Sequence, residues 1–369
     1  MSMSIEAIDV RARITRALPT RVFERTPSRA WLILFLNLAI VACSYLILIH
    51  DLAWYWMLLL SMVLGYLFFA MGIMSHDIMH GTTLKTKRLR ILVSYFGFYP
   101  FLISPRLWDA WHNKAHHGRT NTTRDPDANL TLEEIQQNPL ARFGVRLMPS
   151  SRNRILGIMF YTYWFTLVGQ AILWAGHRFR DWALDDYGTN LKKARFETLS
   201  YYAFWVLVAF YAGPYKSLFL IVLPMMLGNI IFMSFASSQH VFLPQAENND
   251  PLDNSASVRM PAWIDFLTLN FSHHVEHHLF PSMSYVNTPF VRKWLRENMR
   301  GIYMEPSMID TFRLVFNTPR LYASPEHLRY PEQEEGNAID TGLIRETLRR
   351  GDAIKWTNFH SKFSVGITK

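Results

Sequence analysis

Four long runs of apolar residues predict where the chain lies in a membrane. Residues 31–49 form a charge-free run of nineteen residues, and residues 52–74 add twenty-three more. Residues 217–236 supply twenty, whereas residues 198–213 supply only sixteen and must extend into their flanks to span. A helix needs about twenty apolar residues to cross a bilayer, because its backbone polar groups must be bonded internally there. The pattern predicts two transmembrane hairpins; the alternative is a pair of buried helical hairpins in a soluble protein.

Two further apolar stretches do not fit a simple crossing. Residues 91–104 are too short to span and contain Pro100. Residues 155–176 are long enough, but a single crossing there would place the histidine-rich segments of the chain on opposite faces of the membrane. Arginines flank this stretch on both sides. We therefore expect both stretches to be interfacial or re-entrant.

The distribution of basic residues predicts the orientation. The connections 51–53 and 214–216 contain one lysine between them, whereas segments 85–90, 142–154 and 178–195 contain four, four and five basic residues. Loops rich in lysine and arginine stay in the cytoplasm. The six arginines of the first thirty residues agree with a cytoplasmic start rather than a cleavable signal peptide.

The predicted fold is an all-α integral membrane protein, multi-pass, with four transmembrane helices in two hairpins, interfacial helices and a cytoplasmic helical cap. The charged tail at the end of the cap is expected either to be partly disordered or to pack as a lid. The expected divisions are an N-terminal cytoplasmic segment (1–30), a first hairpin (31–74), a first cap segment (75–197), a second hairpin (198–236) and a second cap segment that includes the tail (237–369).

Composition supports this organisation and indicates which partners and metal sites the chain can have. Half of the residues are hydrophobic and 15% are aromatic, while the formal net charge is +9. A positive charge of this size fits a face resting on anionic lipid and requires no nucleic-acid partner. The single cysteine, Cys43, excludes an intrachain disulfide, a cysteine-ligated iron–sulfur cluster and a cysteine-based zinc site.

Histidines are clustered where the apolar runs end. Neutral imidazole binds first-row transition metals, and histidines four apart on a helix lie on one face. A single HxxxH pair is often ordinary helix surface, but this chain has three clusters, which together predict a metal site. They are His76–x3–His80, His112–x3–His116–His117 and His273–His274–x2–His277–His278, with His240 following the last apolar run.

The order and context of these clusters resemble the membrane-bound fatty acid desaturase superfamily, most closely its acyl-lipid and acyl-CoA desaturases. HxxxH, HxxxHH and HxxHH occur in the expected order, with Asp125-Pro126-Asp127 after the second box and Leu279-Phe280-Pro281 after the third. The resemblance covers roughly residues 30–300. It implies a di-metal centre of two iron ions, with O2 as co-substrate, that removes hydrogen from an acyl chain; zinc can substitute for iron in a purified sample.

Carried over residue by residue, the resemblance implies nine metal ligands. The family usually has one aromatic residue between the asparagine and the first histidine of the third box, whereas this chain reads Asn270-Phe271-Ser272-His273-His274. The HxxHH spacing selects His274, which leaves His273 as an additional residue near the site or at the surface. The implied ligands are His76, His80, His112, His116, His117, His240, His274, His277 and His278.

Acidic and amide residues beside the boxes are candidates to orient these ligands. They can accept the outer ring N–H of a histidine, although ordinary salt bridges remain the alternative for each. Trp108 and Trp111, just before the second box, are expected to anchor an interfacial helix or, alternatively, to line an acyl channel. The candidate orienting residues are Asp77, Asp109, Asp125, Asp127, Asn270 and Glu276.

Function is therefore expected to be O2-dependent desaturation of a long-chain acyl group in a membrane lipid or thioester. The alternative is a related oxygenase: a carotenoid ketolase or hydroxylase, an alkane hydroxylase or a fatty acid decarboxylase. A metal transporter should carry ionisable residues in mid-span, and the four runs have none. A zinc hydrolase needs only three protein ligands and an open position, so nine histidines are too many for that class of enzyme. Because no GxGxxG fingerprint is present, we expect a separate electron donor such as a ferredoxin, rubredoxin or cytochrome.

Overall fold

The computed structural model describes residues 4–150, 152–176, 187–331 and 336–367. His177 and the part of the basic loop up to residue 186 lie outside the described residues. In chain order the helices are α1 (Ile5–Ala17), α2 (Trp31–Ile49), α3 (Trp54–Met79), α4 (Lys87–Phe98), α5 (Pro105–Trp108), α6 (His117–Arg119), α7 (Leu132–Gln137), α8 (Pro139–Leu147), α9 (Arg154–Tyr161), α10 (Trp164–Ala175), α11 (Leu191–Ser217), α12 (Leu223–Ala236), α13 (Pro251–Asn254), α14 (Ala262–Leu267), α15 (His274–Leu279), α16 (Thr288–Asn298), α17 (Met308–Asn317), α18 (Thr341–Arg349) and α19 (Phe359–Phe363).

Short 3-10 and π-helical pieces join these helices. The π-helical pieces are Asp109–His116, between α5 and α6, and Leu218–Val222, between α11 and α12. The 3-10 pieces are Thr20–Phe23, Pro27–Ala30, Tyr99–Phe101, Tyr285–Asn287 and Trp356–Asn358.

Three helical segments of the described chain are long and apolar enough to cross a membrane: Thr20–Ile49, Trp54–Met79 and Leu191–Ala236. Their outer faces are apolar, since Phe35 in α2 is 61% exposed and Phe210 in α11 is 79% exposed. Exposing this much apolar surface to water would be unfavourable in free energy, so these faces are suited to contact lipid.

The segment Leu191–Ala236 is interrupted at Gly213. This glycine has a φ of 70°, in the left-handed region, and Pro214 follows it. Glycine adopts that conformation without steric penalty, which allows the break. Beyond the break, Lys216 Nζ donates to the carbonyls of Leu48 and His50 at the end of α2.

α3 and α12 form the centre of the bundle and run in the same direction. Ser61 Oγ donates to the carbonyl of Phe219 at 2.5 Å, and further along the pair the Phe69 and Phe235 rings stack with centroids 6.2 Å apart. Close approach at mid-helix depends on Gly65, where a Cβ atom would lie 2.7 Å from Leu227 Cβ. The pair delivers His76 and His240 to the same end of the bundle.

Residues 155–176 form a broken element rather than one straight helix. α9 and α10 meet at an angle of 71°. The element packs on the bundle through Phe165, whose ring stacks on Phe232 of α12 at 4.0 Å between centroids. Taken together the two helices are long and apolar enough for a broken crossing or a re-entrant loop, so the interfacial or re-entrant assignment stays a prediction.

The cap corrects the expectation of an all-α fold. The described residues are mostly helical, but a five-stranded sheet forms in the order β1-β2-β3-β4-β5, in which β1 and β2 are parallel and the other pairs antiparallel. The sequence pattern did not predict it because strands this short give little periodicity. The strands are β1 (Leu130–Thr131), β2 (Leu321–Ser324), β3 (His327–Arg329), β4 (Gly336–Asp340) and β5 (Ser364–Ile367).

The tail packs on the cap through its own apolar core. Ile339 of β4, Ile344 of α18 and Phe363 of α19 are buried together with Leu314 of α17. A second cap core joins α1 to α15 and α16 through Ile14, Val275, Leu279 and Leu295. α15, which carries the third histidine cluster, is thereby covered on its outer side.

We predict that Gly65→Ala destabilises the bundle. The added methyl group would overlap Leu227 and force α3 and α12 apart, an overpacking cost of about 1–3 kcal/mol. Thermal unfolding of the detergent-solubilised protein, followed by tryptophan fluorescence, measures the effect. Gly144→Ala in α8 is the matched control, because the nearest atom to its added Cβ is 3.6 Å away. Equal unfolding midpoints for the two variants would contradict the prediction.

Candidate metal centre

All nine histidines predicted as ligands meet beside the ends of α3 and α12, in two groups. Within each group one ring nitrogen of every member lies within 4.8 Å of the others. We call them the five-histidine group and the four-histidine group. The first contains His76, His80, His112, His117 and His277, and the second contains His116, His240, His274 and His278.

The nitrogens within each group have the spacing of metal ligands. In the five-histidine group, His112 Nε2 lies 2.8 Å from His76 Nε2 and 3.1 Å from His117 Nε2. In the four-histidine group, His240 Nε2 and His274 Nε2 are 2.6 Å apart. Nitrogens about 2.0–2.1 Å from one metal ion stand roughly 3 Å from each other. Each group therefore fits one metal ion.

The second histidine box divides between the groups because it is π-helical. The amide of His117 bonds to the carbonyl of His112, five residues earlier. The i+5 hydrogen bond widens the turn relative to an α-helix, so the side-chain directions of an α-helical HxxxHH do not apply here. His112 and His117 share the five-histidine group, while His116 belongs to the other. The HxxxH pair His76 and His80 shares one group, as expected. His112 and His116 belong to different groups of five and four, although their nitrogens also lie within 4.8 Å of each other and of an Asp127 oxygen.

Hydrogen bonds to the outer ring nitrogens orient the four-histidine group. His116 Nδ1 donates to Asp125 at 3.0 Å, and His240 Nδ1 donates to the carbonyl of Asn254 at 2.7 Å. The Thr120 hydroxyl donates a hydrogen bond to the carbonyl of His116, so its oxygen is available to accept a hydrogen bond from His278 Nδ1 at 3.3 Å. These bonds leave each Nε2 free to face the centre of its group, as metal coordination requires.

Electrostatics favour neutral, metal-binding imidazoles. Burial, with the neighbouring histidines, holds the pKa of His112, His277 and His278 well below its usual value. Burial also acts on His116, but the Asp125 carboxylate outweighs it and raises the pKa of that ring. The buried Nε2 atoms of His80 and His278 have no hydrogen-bond partner. Orphaned nitrogens in an all-imidazole set are suited to a first-row transition metal.

The acidic candidates separate into two kinds. Asp125 contacts His116, and Asp127 Oδ2 stands 3.6 Å from the same ring nitrogen. Asp77, Asp109 and Glu276 were expected to orient histidines as well, and for them the structure corrects the expectation. In the described part of the chain they pair with Arg29, Lys87 and Arg292, which is the salt-bridge alternative.

Glu276 instead anchors the helix that carries the third box. Its carboxylate is fully buried and accepts from Arg292 Nε at 2.9 Å, Tyr303 Oη at 2.6 Å and Ser257 Oγ at 2.5 Å. Burial alone would raise the pKa of Glu276, but Arg292 lowers it below its usual value. The Ser257 oxygen also accepts from the amides of His274 and Val275. This network fixes the start of α15.

Asn270 acts through the backbone rather than through a histidine ring. It has a φ of 61°, and its Nδ2 donates to the carbonyl of Tyr285 at 2.9 Å. Asparagine tolerates the left-handed conformation better than most residues. The result is a tight turn that leads into His273 and His274.

His273 belongs to neither group. It is buried, its Nδ1 lies 2.9 Å from Thr288 Oγ1, and its Nε2 is 3.4 Å from Asp265. The HxxHH spacing predicted His274 rather than His273 as the ligand, and His274 is the one that joins a histidine group. Outside the boxes, His50, His327 and His360 also belong to neither group.

An apolar cavity of about 150 Å³ lies against both groups. Trp108 and Trp111 line it and are 2% and 3% exposed, so their expected role as interfacial anchors is wrong. They are buried because α5 and the π-helix pack against α10 and α12, where Phe165 and Phe232 contact Trp108. Trp108 stacks on His112 with ring centroids 4.4 Å apart. The alternative interpretation, channel lining, agrees with the geometry.

Sequence reasoning missed two orienting groups. Thr120 lies three residues after the second box, so the sequence could have indicated it as an acceptor for a histidine N–H. The carbonyl of Asn254 gave none, because a backbone oxygen carries no residue-type signature. Only the fold brings it to His240.

Comparisons with known proteins agree with this arrangement. The family model for fatty acid desaturase matches residues 52–307. A chloroplastic omega-6 fatty acid desaturase of Spinacia oleracea is 23% identical over 84% of this chain and 69% of its own length. An sn-1 oleoyl-lipid 12-desaturase of Synechocystis sp. is 23% identical over 77% of this chain and 81% of its own. An sn-1 acyl-lipid omega-3 desaturase (ferredoxin) of Synechocystis sp. matches 35% of each chain, also at 23% identity.

We predict that Asp125→Asn weakens metal binding in the four-histidine group. Loss of the carboxylate removes the charge that orients His116, and changes of this kind typically cost about 10–100-fold in metal affinity. Metal retained after dialysis against graded chelator measures it. Asp109→Asn is the matched control, because Asp109 pairs with Lys87 and not with a histidine. The same retention in both variants would argue against this role of Asp125.

Proposed function

The chain belongs to the fatty acid desaturase family, and on that premise we propose that it is an O2-dependent di-iron desaturase of long-chain acyl groups. The observation that carries the proposal is the pair of histidine groups beside one apolar cavity. The reaction removes two hydrogens from adjacent methylenes. The acyl chain, O2, two electrons and two protons give a double bond and two waters.

We propose that the five-histidine group and the four-histidine group each hold one iron. Iron bound there would supply the oxidising power that an unactivated methylene requires. The protein contributes neutral nitrogens, oriented rings and shielding from water. Soluble di-iron bundles use Glu and Glu-x-x-His ligands instead, whereas the groups of five and four here consist of histidines alone, with Asp127 near His112 and His116. Asp125 and Thr120 keep the rings of His116 and His278 in a metal-binding orientation.

The substrate proposal rests on the cavity. Its wall includes aromatic side chains from the π-helix, α10 and α12, and members of both histidine groups face it. Apolar walls bind an alkyl chain without hydrogen bonds, so they hold it at a depth set by cavity length. Two relatives are named for oleoyl-lipid and acyl-lipid substrates. We propose a membrane lipid as the preferred acyl carrier, with a thioester as the alternative.

For the membrane topology we propose four spans: α2, α3, α11 and α12 with its preceding π-helical turn. Lys216, in the connection between α11 and α12, donates to the end of α2. The connections within the two hairpins therefore lie on the same side of the membrane. The histidine groups and most basic residues lie at the opposite end, which the positive-inside rule assigns to the cytoplasm.

Two electrons must come from a partner. We propose a separate, acidic carrier protein, and one relative is named as using ferredoxin. Positive charge on the cytoplasmic face would steer such a carrier, and raised ionic strength would slow turnover.

We predict about two irons per chain in protein expressed with iron, measured by inductively coupled plasma mass spectrometry. His278→Ala removes one ligand of the four-histidine group and its contact with the other, so we expect most of the iron to be lost. His273→Gln is the matched control, because this neighbouring histidine is buried outside both groups. One zinc and no iron in iron-replete protein with full activity would refute the di-iron proposal.

We predict a new double bond in the acyl lipids of a bacterial host that lacks polyunsaturated fatty acids. His277→Ala should abolish it, because His277 contributes to the five-histidine group. Mass spectrometry of fatty acid esters and of extracted pigments identifies the product. Hydroxylated, ketonic or chain-shortened products would instead assign the protein to the related oxygenases.

A further inference from the structure

Two of the nine histidines differ from the others in their exposure. His80 and His117, both of the five-histidine group, are half-buried, whereas the other seven are buried. A side chain built at Gly118, next to His117, would meet no atom within 4 Å. Within the described part of the chain, the five-histidine group is therefore the one with ligands at the molecular surface.

Five basic side chains either come from the first two histidine boxes and their flanks or contact them. We call these five side chains the basic collar. Arg25 Nε donates to the carbonyl of Gly81 at 3.0 Å, and Arg90 donates to the carbonyl of Met79 at 3.2 Å. Lys87 and Lys114 both pair with Asp109, at 2.8 and 3.8 Å. Arg119 lies two residues after His117, the last residue of the second box, and contacts Tyr187.

The collar keeps a positive charge after its ion pairs are counted. Asp109 is the carboxylate that pairs with its residues in the described ranges, and it serves two lysines. Glu24 stands beside Arg25 in the sequence. Lys87 and Lys114 remain 54% and 39% exposed. Within the described ranges the collar thus has five cations against two carboxylates, and this excess gives a positive field beside the first two boxes.

The second box is also coupled mechanically to this surface. Asn113 Nδ2 donates to the carbonyl of Met79, so the π-helix is bonded to the end of α3 beside His80. Asn249 Nδ2 donates to the carbonyl of His117. A partner that contacted the collar would therefore touch elements fixed to the histidine ligands, without an intervening layer.

We propose that the basic collar is the docking site of the acidic electron carrier, and that electrons reach the metal centre on the side of His80 and His117. The inference rests on the proposed desaturase function. Each docking event oxidises the carrier by one electron, and two events supply the two electrons that one double bond consumes. O2 is the final oxidant, and no bond to the carrier forms or breaks.

The first test maps the surface without using activity. A purified, acidic plant-type ferredoxin is joined to the detergent-solubilised, full-length protein with a carbodiimide, which links lysine amines to carboxylates in contact. Peptide mass spectrometry then locates the links. We expect them at Lys87 and Lys114. Links confined to other lysines, such as Lys355 of the tail, would overturn the proposal.

The second test measures turnover with two reductants. The double variant Lys87→Glu and Lys114→Glu should raise the KM for reduced ferredoxin about tenfold and weaken the dependence of this KM on ionic strength. The reason is that two charges of the basic collar are reversed, from positive to negative. The kcat with dithionite, a small reductant that needs no protein docking, should stay unchanged.

Lys355→Glu is the control. It makes the same change of charge as each of the two collar substitutions, but at an exposed lysine of the tail.

The outcomes separate the two proposals. An unchanged KM for ferredoxin in the double variant, with dithionite activity intact, would overturn the docking site and leave the desaturase function standing. Wild-type, iron-loaded protein that forms no double bond with dithionite or with ferredoxin would count against the desaturase function, and the cross-link map alone would then decide the docking site.

Discussion

The convergence of nine imidazole nitrogens in a largely dry volume is the constraint on which the rest of the structure depends. Lone pairs brought within 3 Å of one another repel, and a buried nitrogen without a partner costs free energy. Two cations placed among them would remove both costs, and the groups of five and four provide a place for each. Burial favours the neutral form of rings such as His112, His277 and His278, and Asp125, Thr120 and the Asn254 carbonyl direct the rings that they contact. Metal binding and the folding of the cap are then expected to be coupled.

The apolar bundle serves this centre by fixing the ends of two helices. α3 and α12 pack so closely at Gly65 that their ends lie together, one bearing His76 and the other leading to His240. The remaining ligands come from the π-helix and from α15. These are short elements, and short helices have little stability of their own. They depend on buried polar anchors, chiefly the carboxylate of Glu276 with Arg292 and Ser257. The rigid bundle and the anchored cap thus complete the centre from opposite sides.

The two sides of the centre have contrasting surroundings. Towards α10 and α12 it meets aromatic side chains, with Trp108 stacked on His112 and the cavity beyond. Towards α4 and the first box, the half-buried His80 and His117 lie on the side that carries the basic collar. The proposed acyl substrate and the proposed acidic electron carrier would require these contrasting environments.

The sequence by itself determined the apolar runs, the histidine spacing and the family resemblance, because each depends on residues that are close along the chain or on a pattern of residue types. It also selected His274 over His273. The tertiary structure decided the rest. The π-helix separates His116 from His112 and His117, which an α-helical spacing rule had placed together. Packing distinguishes Asp125, which meets a histidine, from Glu276, which meets an arginine, although both stand beside a box. Packing likewise buries Trp108 and builds a sheet from the tail. Such outcomes depend on contacts between residues tens to hundreds of positions apart, and local composition carries no record of those contacts.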